Sequence, residues 1–274
     1  MPRWFDLQWL TAAMDALSTR QLAFFCSAIL VGVTWFGIIF FKPFIRRLLR
    51  SQPGANDLVN FASAGFSLFY GLLLGLLSFA TFGNVSSVEA SVDREASNIA
   101  ALYRLVGSYP EPLQSELQYL LRDYTKYVID KDWPAHRQGK IYNGGDLRLQ
   151  VIEEKIISLM PASHAQELLQ EQSIKTFGEI RDARFQRLTG VNTAIPGVLW
   201  YVVFIGAVIN ILLIWMLDMR FSLHLVLGGI VSFFLGVMIF LIAAMDRPLQ
   251  GSVSVSANAY KVMFKHAMQW DDAQ

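Results

Sequence analysis

Cysteine occurs once in 274 residues, at Cys26 inside an apolar run, so no disulfide can form within the chain and the redox compartment stays open. Histidine occurs four times, at His136, His164, His224 and His266, without the spacing that metal ligation requires. Charged residues make up only 16% of the chain and balance to a formal net charge of +1, which carries no electrostatic signature of a nucleic-acid partner. No nucleophile–base pairing, phosphate-binding loop or metal motif stands out. Neither a cofactor nor an enzymatic activity is expected.

The scarcity of charge is concentrated. Residues 22–41, 61–82, 198–217 and 223–245 contain no Asp, Glu, Lys or Arg, and each can cross a hydrocarbon layer of roughly 30 Å as a helix. Proton relays, voltage sensors and most ion-coupled pumps need ionisable groups within the bilayer, so active transport is disfavoured. A passive anion path stays open, because helix N-termini, hydroxyls and amides can stabilise an anion without fixed charge. Hydrophobic residues make up 54% of the chain, and the fold class follows: an all-α integral membrane protein. Four transmembrane helices are expected, with an extramembrane helical bundle inserted between the second and third. Trp200, Tyr201 and Trp215 lie near span ends, as interfacial aromatics do. The first span starts late, is long and ends in basic residues, which argues against a cleaved signal peptide. Trp4, Phe5 and Trp9 suggest a segment resting at the interface before it.

The polar middle reads as helical throughout. Residues 86–106 run on from the second span without Gly or Pro, so one long helix should leave the bilayer. Pro110 and Pro112 open a further helix whose Leu113, Leu117, Leu120, Leu121 and Tyr124 share a face. A loop is expected at 134–146, then helices over 147–160 and from Pro161 towards Leu188, the last extending the third span through Pro196. The expected divisions are an N-terminal interfacial segment with spans one and two at 1–84 and the bundle at 85–195. Spans three and four follow at 196–247, then a short extended segment with an amphipathic helix at 248–274.

Basic residues in short loops orient the chain. Lys42, Arg46, Arg47 and Arg50 follow the first span and Arg220 follows the third. They assign these loops to the cytoplasm of a plasma (inner) membrane and the bundle to the opposite side. Arg181, Arg184, Arg187, Arg247, Lys261 and Lys265 point the other way, but long polar segments translocate largely regardless of charge.

Within the spans, two ridges of small residues repeat every fourth position: Ser63, Ser67, Gly71 and Gly75 in the second, and Gly228, Ser232 and Gly236 in the fourth. Such ridges serve close helix packing, with a pore lining as the sharper reading. Phe66, Phe69, Tyr70, Leu73 and Leu77 form another stripe of span two, either packing or lipid contact, or a hydrophobic constriction. Asn210 suits an interhelical hydrogen bond or a place on a permeation path. Glu89, Asp93 and Glu95 read as a solvated helix face or a vestibule, and Arg181, Asp182 and Arg184 are expected to pair with them, Arg184 with Asp93 first.

Span four ends in "MDRPLQGSVSVS". Asp246 and Arg247 fall at headgroup depth, Pro248 ends the helix and Gly251 permits a turn. The Ser/Val alternation predicts a short strand with Val253 and Val255 on one face, followed by an interfacial helix carrying Tyr260, Met263 and Phe264. Asp246 or Arg247 is expected to pair with a neighbouring helix.

Several signatures occur in order: "VSSVEASVDREASNIAALYRL", "LRDYTKYVIDKDWPAHRQGK", "IRDARFQRL", "IPGVLW" and "AAMDRPLQG". Together they resemble the bestrophin-like domain family of bacterial membrane proteins over about residues 20–265, with Leu249 standing where the family tends to carry an aromatic. The resemblance implies a relation to bestrophins, pentameric anion channels in which four spans per subunit surround a pore with an apolar neck from the second span. Carried over, the neck would fall on Phe66, Phe69, Tyr70 and Leu73. It also implies a cytoplasmic bundle, opposite to the loop charges. Two functions follow as expectations: a homo-oligomeric channel in the lipid bilayer passing small anions, or a non-transporting scaffold or sensor that binds a partner through the bundle.

Overall fold

The computed structural model describes residues 19–49, 54–250 and 253–268, so Trp4, Phe5, Trp9, Arg50 and Gly251 lie outside the described residues. Among the described residues every regular element is helical: α1 Thr19–Leu49, α2 Ala55–Val106, α3 Leu113–Tyr127, α4 Trp133–Arg137, α5 Gly144–Ile157, α6 His164–Asn192, α7 Gly197–Met216, α8 Phe221–Met245 and α9 Asn258–Met263. Two π-helical turns, Val128–Asp132 and Phe264–Met268, extend α3 and α9. Four of the helices are long and apolar enough to cross a membrane: α1, α2, α7 and α8.

The long helix leaving span two is present as α2, 52 residues without a proline. It starts after Gly54, whose positive φ of 84° few other residues adopt, and stops at Gly107 ahead of Pro110 and Pro112. The expected loop at 134–146 is shorter, because Pro134 sits in the first turn of α4, where its missing N–H costs nothing. The expected extension of the sixth helix into span three is also corrected. α6 ends at Asn192, Thr193 is extended, and Pro196 precedes α7, since a residue before proline avoids the helical region.

The chain forms two compact units. The first comprises, of the described residues, 19–49, 54–83, 194–246 and 253. Here α1 lies along α8 with the backbones close: a Cβ on Gly236 would meet the Ser27 Cα at 2.5 Å, and the Ser232 and Thr34 hydroxyls are 2.5 Å apart. Indoles donate to span carbonyls here: Trp35 of α1 to Leu225 of α8 at 2.9 Å, and Trp215 of α7 to Thr34 of α1 at 3.1 Å.

The second unit comprises, of the described residues, 84–193, 247–250 and 254–268. Its core joins Val92, Ile99 and Leu102 of α2 to Leu117 and Leu121 of α3, Ile152 and Ile156 of α5 and Ile180 of α6. Gln170 serves the open end of α5, its side-chain amide donating to the carbonyls of Ile156, Ile157 and Leu159. The strand expected at 252–256 is absent among the described residues. Val255 instead donates its N–H to the Pro248 carbonyl at 2.8 Å, closing a local loop that buries Val255. The C-terminal helix turns its apolar face inward: Tyr260, Met263 and Met268 are buried in this core beside Trp133 and Leu249.

Candidate functional site

Span two presents its residues in sorted bands, because successive helical positions turn by about 100°. The inward band carries Tyr70, Leu74 and Leu77, packed with Trp200, Val203 and Ala207 of α7. Tyr70 is 5% exposed and donates its hydroxyl to the Val203 carbonyl at 2.7 Å, with Gly206 leaving room for the ring. Phe66 stacks on Tyr70 with centroids 5.8 Å apart, and both Phe66 and Leu73 are half-buried against the same cluster. Phe69 differs: it is 73% exposed and turns away. The four residues carried over as a neck therefore divide, three against the subunit's own helices and one outward. On the opposite side Phe61, Leu68, Leu72 and Phe79 form an exposed apolar band.

The small-residue ridges also divide. In α8, Gly228 meets the Ile38 side chain, and Ser232 and Gly236 meet α1 as described. In α2, Gly71 and Gly75 face open space, where an added Cβ meets nothing within 4 Å. Ser67 accepts a hydrogen bond from the Asn210 amide at 3.2 Å, so Asn210 bridges two helices. Ser63 has a buried hydroxyl that finds no partner among the described residues.

At the exit of span four, Asp246 accepts from the Ile195 N–H at 2.6 Å, one residue before the Pro196 that opens α7. A carboxylate there satisfies the backbone N–H of the residue before the N-cap and lies at the positive end of the helix dipole. Arg247 is exposed and donates to Gln250 at 3.0 Å, while Pro248 is buried. We expect Asp246→Ala to lower thermal stability in detergent by about 1 kcal/mol, as loss of one hydrogen bond to a part-buried N–H does. Arg247→Gln should leave the transition within error, and an Asp246→Ala protein as stable as wild type would show that Asp246 marks a boundary only.

The second unit holds the densest chemistry. Arg187 of α6 and Glu95 of α2 are both fully buried and paired, Nε to Oε2 at 2.8 Å and Nη2 to Oε1 at 3.2 Å. The Tyr124 hydroxyl donates to the same carboxylate at 2.6 Å. Arg184, one turn earlier, donates to buried Asp132 at 2.9 Å and to the exposed carboxylate of Asp146 at 3.2 Å. Its guanidinium lies against Gly145, where a side chain would collide. His136 stands 3.2 Å from Arg187 through Nδ1, beside the Trp133 ring. Burial alone would raise the Glu95 carboxyl, but the Arg187 guanidinium outweighs it and holds the group below the usual carboxylate value. At Asp132 burial prevails over Arg184 and pushes the carboxyl up.

The expected pairing of Arg184 with Asp93 is thus corrected. Asp93 and Glu89 are exposed, Arg184 turns to Asp132, and Arg181 pairs with Glu153 at 2.9 Å. Glu95, from the same acidic run, points inward and finds Arg187.

A family model for the bestrophin-like domain matches residues 28–260. The chain belongs to the bestrophin-like domain family. Its fold is similar to a bacterial bestrophin homologue from Klebsiella pneumoniae carrying one substitution, with a TM-score of 0.67 at 12% identity over 92% of this chain and 99% of that one. A further crystal structure of a Klebsiella pneumoniae homologue gives 0.63 at 11% identity, over 89% and 96%. A crystal structure of a membrane protein variant gives 0.67 at 11% identity, over 92% and 99%. At such identities the likeness concerns the fold alone. No curated protein matches the chain. The family read from the ordered motifs is confirmed, and those motifs acquire a structural meaning in this bestrophin-like chain. "LRDYTKYVIDKDWPAHRQGK" contributes Tyr124, Asp132 and His136 to the buried network, and "IRDARFQRL" contributes both arginines. Sequence reasoning missed Asp132, His136 and Arg187 as partners. The available signal was the three-residue spacing of Arg184 and Arg187, which sets both on one helix face.

Proposed function

We propose that this bestrophin-like protein is one subunit of an oligomeric channel that passes small anions through the membrane, with span two facing the pore. The observation that carries the reading is the unpartnered outer side of α2. Phe69 and the apolar band of Leu68, Leu72 and Phe79 are exposed, and the open Gly71 and Gly75 would let copies of the helix approach closely around an axis. In this reading Phe69 belongs to the constriction, while Phe66, Tyr70 and Leu73 back it from within the subunit. The bundle formed by the second unit is proposed to stand outside the bilayer. A 52-residue helix is about 78 Å long at 1.5 Å per residue, more than twice the hydrocarbon thickness. Short-loop charge supports a non-cytoplasmic bundle. The solved relatives named as bestrophin homologues support the channel assignment, and helix dipoles and hydroxyls suffice to stabilise a passing anion.

Purified oligomers in planar bilayers should carry anion-selective current, and Phe69→Ala should change conductance several-fold by widening an apolar constriction, whereas a lipid-facing Phe69 would leave it unchanged. Silent bilayers from a correctly assembled oligomer would overturn the reading. A scaffold or sensor function is the second reading, favoured by Phe185 at 72% and Met160 at 90% exposure on the second unit. A partner captured through that surface, with no current, would establish it.

A further inference from the structure

His136 is held in a state that only its neutral form can occupy. Arginine carries donors and no acceptor, so the 3.2 Å contact between Arg187 Nη1 and His136 Nδ1 requires an unprotonated Nδ1. The ring proton then sits on Nε2, which is buried without a partner among the described residues. Adding a proton at Nδ1 turns an accepted hydrogen bond into two donors facing each other. It also adds a third cation to a buried cluster whose two guanidiniums already take up its carboxylates.

Each carboxylate around the ring already answers a guanidinium. From α6 the ring faces Arg187, with Arg184 one turn away. Glu95 of α2 is occupied by Arg187 and by Tyr124 of α3. Asp132, at the end of the preceding π-helical turn, is bound through Oδ2 by Arg184, which also takes Asp146 of α5, while its Oδ1 has no partner among the described residues. The C-terminal helix contributes the neutral phenol of Tyr260, packed on Trp133 with centroids 5.7 Å apart. In keeping with this, burial and then the two guanidiniums push the His136 imidazolium down to about 3.

The segment that carries His136 is short, and its Trp133 and Ala135 are buried beside the ring. α4 has five residues, continues α3 through the π-helical turn, and is followed by an irregular stretch to α5 that includes Gly139 at φ 69°. Moving it exposes His136 while leaving Glu95 and Arg187 bonded to each other. We propose that His136 is an acid-operated latch: protonation at Nδ1 expels the imidazolium from the cluster and frees α4 and the stretch up to α5. The latch does not depend on whether the protein conducts anions.

The sign follows from linkage. The folded value lies below the ordinary histidine value near 6.5, so the closed state is fully favoured above about 6.5 and loses ground as pH falls. Between pH 7.5 and pH 5 the open-to-closed ratio should rise about 30-fold. The test is hydrogen-exchange mass spectrometry on the full-length protein in detergent, with protection over residues 128–143 corrected for intrinsic rates. Wild type should lose about that factor at pH 5. His136→Gln, whose side-chain carbonyl accepts from Arg187 and cannot be protonated, should keep its protection. Equal protection of wild type at both pH values, or an equal loss in His136→Gln, overturns the latch. If the variant does not assemble, the wild-type exchange result is read with histidine C2-hydrogen exchange at His136. A midpoint below 5 supports the latch, and one near 6.5 removes it.

Discussion

Glu95→Gln is expected to destabilise the second unit by about 3–5 kcal/mol, a large share of what a domain of this size holds in reserve. The loss does not measure a strong bond. It arises because the Arg187 guanidinium would stay at zero exposure with its charge uncompensated, and Tyr124 would lose a strong acceptor. Arg187→Met should cost a similar amount by stranding the carboxylate. The pair in the intact protein is worth much less than either single loss, since both ions were taken out of water to form it. The double variant Glu95→Leu with Arg187→Met should therefore recover most of the stability. Denaturant unfolding in detergent, followed by tryptophan fluorescence, measures all four members of the cycle. Strictly additive single losses would show that the two residues act independently.

The second large effect is steric. Gly236→Ala should destabilise the first unit by about 1–3 kcal/mol, because the new methyl meets the Ser27 Cα, a backbone atom that no rotamer change can move. Gly71→Ala and Gly75→Ala place the same methyl in open space and should leave the stability of the subunit unchanged. Thermal melts of purified variants check the contrast, and size-exclusion profiles show whether the α2 substitutions disturb assembly instead. A Gly236→Ala protein as stable as wild type would mean that α1 and α8 can separate freely.

How far the sequence reveals this architecture depends on whether a feature is periodic or paired. The four spans and the run of α2 beyond residue 82 are plain, because uninterrupted apolar or helical periodicity is a local property. The break at residues 193–196 was less visible, since a proline can open a span either from a straight helix or from a turn. The Ser/Val alternation at 252–256 has the period of a strand, yet a strand needs a neighbour, and the local loop to Pro248 satisfies Val255 without one. The buried ionic network was hidden for a deeper reason. Glu95 and Arg187 are 92 positions apart, and each alone looks like a residue of a solvated helix face. On span two the stripe was legible but its direction was not, because Phe69 and Tyr70 differ only in which neighbour the fold assigns them.

The closed arrangement of Glu95, Arg187 and Tyr124 also bears on how such a chain can change over generations. Either charged residue altered first passes through an ancestor with a stranded ion in its core, and that ancestor lies near the edge of folding. The exchange needs two substitutions at once or a prior gain in stability elsewhere. Drift is therefore slow at this cluster and fast on outward positions such as Asp93 and Phe185, which can change one at a time without leaving a buried charge behind.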